Sequence, residues 1–95
     1  MPVYVVSYDL KQGDGSHDYD DLYEAFDALE SHRVLYSVFL VSTSATAKVL
    51  GDYLFQHMDT KDRIWVSRMP PGSHTNYSYR AMPGTNAWLK KHPPS

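Results

Sequence analysis

Residues 33–43, RVLYSVFLVST, carry two interleaved apolar sets, and this limits the fold more than any other stretch. Val34, Tyr36, Val38 and Leu40 form one alternating set; Leu35, Ser37, Phe39 and Val41 form the other. Side chains alternate across a strand, so a strand apolar on both sides needs cover on both faces of its sheet. Eleven residues also suffice for two short strands joined by a bend. If helices cover one face, the other needs a separate cover, which a partner subunit can supply.

The flanking segments tell which elements accompany this run. Val3, Tyr4, Val5, Val6, Ser7 and Tyr8 are mostly β-branched or aromatic and predict a buried strand that delivers Asp9 at its C-terminal end. Residues 11–16, with Gly13, Asp14, Gly15 and Ser16, predict a turn-rich loop. Tyr19, Leu22, Tyr23, Phe26 and Leu29 recur every three or four residues, predicting a helix that ends near His32. Asp18, Asp20 and Asp21 then sit where carboxylates favour a helix N-terminus, a better account of the acidic cluster than a calcium loop, whose spacing is absent.

After the long strand-like run, Ser44 is placed to cap a second helix in which Ala47, Leu50 and Leu54 align to about His57. Residues 59–62 form a polar turn, residues 63–69 alternate as a further strand, and Pro70, Pro71 and Gly72 stop it. The order is β-α-β-β-α-β. With short, right-handed connections this predicts an α+β, ferredoxin-like sandwich, an antiparallel sheet with two helices on one face. The domain spans residues 1–69. Residues 70–95 form a C-terminal extension that is too aromatic for a solvated linker, with Tyr77, Tyr79, Trp88 and Leu89, and is expected to pack on the domain or on a partner subunit.

At 95 residues the chain has room for one core, and so small a domain often gains stability by forming a homodimer. It contains no cysteine, which excludes disulfides, thiolate catalysis and cysteine metal sites. The N-terminus lacks a signal-peptide pattern and no apolar run nears a membrane span, so the expectation is a cytoplasmic protein without a membrane partner. The net charge of −2 divides unevenly: residues 1–32 hold eight acidic groups and one lysine, net −7, and residues 33–95 hold eight basic and three acidic groups, net +5. The balance as a whole does not advertise a nucleic-acid binder.

The first strand, ending in Tyr8 and Asp9, resembles the opening strand of the Cas-two type of CRISPR-associated endonuclease. Ser37, Val38 and Phe39 resemble that family's Ser-Val-Phe stretch, and residues 62–69, DRIWVSRM, its closing strand. The likeness covers about residues 3–69 and extends to the SinR-like branch of the superfamily through Ser37 to Val41, Ser44 to Ala45 and Trp88 to Leu89. It implies a homodimer in which the two Asp9 carboxylates approach each other and hold a divalent ion such as Mg²⁺, and cleavage of RNA or DNA. The same dimer can also act as a non-catalytic scaffold or a toxin-antitoxin-like interaction module with a protein partner. In a departure from the family, the segment after the first strand offers only Lys11 as a cation.

Within that frame Asp9 is the candidate catalytic residue and metal ligand, because a carboxylate at a strand end can bind a hard cation that polarises a phosphate. One carboxylate is a poor magnesium site, so the scheme needs a second Asp9 across a two-fold axis. His17 is the histidine placed in the loop near Asp9 and is the candidate general acid or base. Ser7, Tyr8 and Ser37 are candidate substrate-binding hydroxyls. Arg33, Arg63, Arg68 and Arg80, interleaved with Tyr36, Trp65 and Tyr79, offer the means to meet phosphates and stack bases. No Walker loop, nucleophile elbow or dinucleotide fingerprint is present.

Overall fold

The computed structural model describes residues 1–11, 19–72 and 77–95. The elements run β1 (Val3–Asp9), α1 (Asp20–Asp27), β2 (Glu30–Leu35), β3 (Val38–Ser42), α2 (Ala47–Phe55), β4 (Arg63–Arg68) and α3 (Thr85–Lys91). The chain is a small α+β protein with one four-stranded antiparallel sheet in the order β2-β3-β1-β4. The strand richest in β-branched and aromatic residues, β1, thus takes a central position. Val6 stands opposite Phe39 of β3 on one side and Val66 of β4 on the other.

Alternation along β1 sorts its side chains to two separate cores. Tyr4, Val6 and Tyr8 join Phe39 and Val41 of β3, Leu22, Ala25 and Phe26 of α1, and Leu50 and Leu54 of α2. The Phe26 and Phe39 rings stack at 3.9 Å with an interplanar angle of 6°. Val3 on the opposite face joins Val34, Leu40, Met69 and Leu89, with Val5, Val38, Tyr77 and Trp88 beside them. The chain therefore supplies much of the second cover itself, from tail residues beyond the sheet.

Two local expectations are corrected, and one element is added. The first helix ends at Asp27, not near His32, and β2 begins at Glu30. The apolar spacing runs on through Leu29, but residues 30–33 gain more as an edge strand paired to β3, with Glu30 opposite Ser42 and His32 opposite Leu40, so tertiary pairing overrides helical periodicity. Thr46, rather than Ser44, caps α2: its hydroxyl accepts from the Val49 backbone N–H at 3.2 Å. The tail contains α3, seven residues that helical spacing alone does not announce.

The long strand-like run does divide, with Tyr36 and Ser37 between β2 and β3. Two-residue hairpin loops usually need positive φ, yet among the described residues no non-glycine residue has it. A register shift between Arg33 and Leu35 accompanies the connection. It leaves Tyr36 as the most exposed large apolar residue of the described chain, at 79 %.

The tail is fastened along β2. The Met82 backbone N–H donates to the Val34 carbonyl at 2.9 Å. The Thr85 hydroxyl donates to the Met82 carbonyl at 2.7 Å, so its 2.9 Å contact with His32 Nε2 requires the imidazole to be the donor. Gly84 precedes α3 at φ +92°, a left-handed conformation suited to glycine, and a Cβ there would lie 3.4 Å from His32 Cε1. Trp88 lies between His32 and His92, with ring centroids at 6.2 and 4.6 Å, and His92 stands 3.5 Å from the Glu30 carboxylate. At the far end the Arg68 Nε–H donates to the Ser95 carbonyl at 3.1 Å.

Candidate nucleic-acid interface

Beside the end of β1, Asp62 is 5 % exposed and ties Lys11 to Tyr19. One of its carboxylate oxygens accepts from the Lys11 backbone N–H at 2.6 Å and from the Tyr19 hydroxyl at 2.8 Å; the other accepts from the Asp59 backbone N–H at 2.7 Å. A buried carboxylate that accepts these hydrogen bonds is a structural fastening. It fixes Lys11, just beyond the end of β1, relative to Tyr19 at the entrance to α1.

On the helix side of the sheet, Arg33 extends from β2 over the aromatic core. Its Nη2 donates to the hydroxyls of Tyr8 and Tyr23, each at 3.3 Å. The guanidinium carbon lies 5.1 Å from the Tyr23 ring centroid, 5.5 Å from that of Tyr36 and 5.3 Å from that of Phe39, within cation–π range. Arg33 Nε is buried with no hydrogen-bond partner among the described residues. Burial pushes the Tyr8 phenol up to about 12, against a smaller downward pull from the Arg33 hydrogen bond. The Tyr8 hydrogen bond in turn raises the Arg33 pKa. Tyr8 is therefore neutral, and Arg33 charged, throughout the physiological range.

Tyr8, Tyr23 and Tyr36 of this cluster line a cleft of about 360 Å³ at the end of β1, into which Asp9, Lys11, Ser37 and Arg63 also open. Asp9 and Arg63 are cross-strand partners and both are exposed. The same two residues line a second cleft of about 320 Å³ on the tail side, together with Ser7 and Trp65. Trp65 is 71 % exposed. The cross-strand neighbours Asp9 and Arg63 are thus flanked by an exposed ring on either side, Tyr36 in one cleft and Trp65 in the other.

The sequence-predicted site residues are dispersed across this arrangement. Asp9, Tyr8 and Ser37 meet in the first cleft, and Ser7 reaches the second. The Tyr8 hydroxyl is committed to Arg33, which makes it a support of the cleft. The Ser37 carbonyl accepts from the Tyr8 backbone N–H at 3.1 Å, extending the pairing of β1 with β3. His17 lies outside the described residues. Sequence reasoning had Arg33, Arg63, Tyr36 and Trp65 as residues of the right chemistry without their placement. It missed the fastening by Asp62, whose one signal is its position three residues after Asp59 in a polar turn.

The described groups of one chain do not make a magnesium site around Asp9. Among the described residues no three of His, Asp or Glu cluster as a metal site, and the cross-strand neighbour of Asp9 is cationic Arg63. Among the same residues no helix is long and apolar enough to cross a membrane. No protein-family model matches the chain, and no solved structure matches it.

Proposed function

We propose that this chain is a ferredoxin-like domain of the Cas-two-like type that binds single-stranded RNA or DNA across the end of β1. One observation carries the reading: exposed Tyr36 and Trp65 stand on either side of Arg63, with Lys11 opening into the Tyr36 cleft. Rings offer platforms for unpaired bases, and cations beside them take the phosphates between, which is how strands are held without sequence preference. The strand order β2-β3-β1-β4 and the joint packing of α1 and α2 against β1 and β3 support the ferredoxin-like plan. Asp9 repels phosphate in a single chain. Phosphodiester hydrolysis on this surface therefore depends on a homodimer that brings two Asp9 carboxylates together, and no step of it is assigned to one chain alone.

Fluorescence anisotropy with labelled single-stranded RNA and DNA tests the proposal. Tyr36→Ala and Arg63→Ala should each weaken binding by about tenfold, since one stacked base or one charged contact is worth on the order of 1 to 3 kcal/mol. Arg63→Ala should also flatten the salt dependence, which Tyr36→Ala should leave alone. Affinities unchanged by both substitutions would remove the interface. Cleavage assayed with and without Mg²⁺, in wild type and Asp9→Asn, decides between the hydrolytic dimer and a non-catalytic interaction module.

A further inference from the structure

The described part of the tail does not close completely over the outer face of the sheet. Between them runs a crease of about 370 Å³, at the small end of the range for ligand pockets and equal to about a dozen waters at their liquid volume. Its floor is Val5, Val38 and Leu40 of the sheet, with Met69 at one end, and its wall is Tyr77 and Leu89 of the tail. Arg80 lines the crease as well, on the tail. Among the described residues Arg80 makes no ion pair, and no lining residue is acidic.

We propose that this crease binds a small amphipathic carboxylate of the class of a medium-chain fatty acid, with the alkyl chain on the valine and leucine floor and the carboxylate on Arg80. Two observations select this occupant. An apolar slot bounded by the chain's own strands and its own tail has room for an alkyl chain and none for a folded partner. A lone guanidinium beside it matches a planar carboxylate, which it can hold through two parallel hydrogen bonds. The site is separate from the end of β1, so it stands or falls independently of nucleic-acid binding.

The test is a titration of the full chain with decanoate and, in parallel, with decan-1-ol, followed through the methyl resonances of Val5, Leu40 and Leu89. Decanoate should shift these methyls saturably at one equivalent per chain and bind more tightly than decanol. Arg80→Gln should weaken decanoate about tenfold and leave decanol unchanged. Val5→Phe, which fills the floor, should abolish both, with circular dichroism showing that the fold is retained. Absence of a saturable shift overturns the proposal, as does equal affinity of wild type for the acid and the alcohol. An Arg80→Gln variant that binds decanoate normally also overturns it. So do methyl shifts that follow protein concentration while light scattering reports a doubled mass, since a second copy would then be the occupant.

Discussion

The two faces of the sheet are covered by different kinds of structure. On one side α1 and α2, both placed between strands of the sheet, press Leu22, Phe26, Leu50 and Leu54 against Tyr8, Phe39 and Val41; the Phe26 and Phe39 rings lie nearly parallel, with Tyr8 inclined to them by 32° and 28°. On the other side the cover comes after the sheet is complete. It consists of an irregular segment and a seven-residue helix, held by polar contacts at His32, Val34 and Glu30, and it leaves a crease. The first cover is inseparable from the sheet because chain connectivity forces it there. The second is added to a body that already has one core, so its loss need not unfold the first.

That difference can be broken by mutation. Phe26→Ala should cost roughly 3 to 5 kcal/mol, because the ring is fully buried and stacked on Phe39, and it should lower the urea midpoint of the whole domain in one transition. Leu89→Ala removes a buried side chain of the tail and should cost about 2 kcal/mol, the low end for such truncations, since the tail can release instead of holding a cavity. Hydrogen exchange distinguishes the two: Leu89→Ala should expose the Met82 and Trp88 amides while those of β1 stay protected. Exchange rising equally in β1 would show that both covers form one cooperative unit.

Gly84→Ala sharpens the comparison with a smaller perturbation. A left-handed φ of +92° costs an alanine about 1 to 2 kcal/mol, all of it in the docking of α3. The same exchange experiment should show tail amides alone responding. Asp9→Asn should be the smallest, within about 0.5 kcal/mol by thermal denaturation, because the side chain is exposed and belongs to neither core. A large loss there would show that Asp9 supports the sheet end instead of serving a ligand.

The same contrast explains what was legible in the sequence. Alternation in residues 3–8 and the helical spacing of Leu22 with Phe26 and of Leu50 with Leu54 state directly which side chains face a core, and the helix-covered face follows from them. The end of α1 was not legible, because Leu29 continues the helical spacing while the pairing that claims Glu30 lies twelve residues on at Ser42. The tail's docking hangs on single polar contacts such as His32 with Thr85, 53 residues apart, which no period encodes. At the candidate site, Asp9 was legible as the polar end of an apolar strand. Its neighbour Arg63 was not, since their pairing depends on which edge β4 joins.

The central place of β1 has a consequence for how the protein is made. Of the four strands it is made first, yet its neighbours β3 and β4 follow far behind: Val3 pairs with Ser42, and Tyr4 with Arg68. At a synthesis rate of about 5 to 20 residues per second, the nascent VYVVSYD segment waits on the order of several seconds for its second neighbour. Until β3 arrives both edges of this β-prone segment stand open, and until β4 arrives one of them still does. The stretch that follows is net negative through residue 32, and like charges on neighbouring nascent chains repel during that wait.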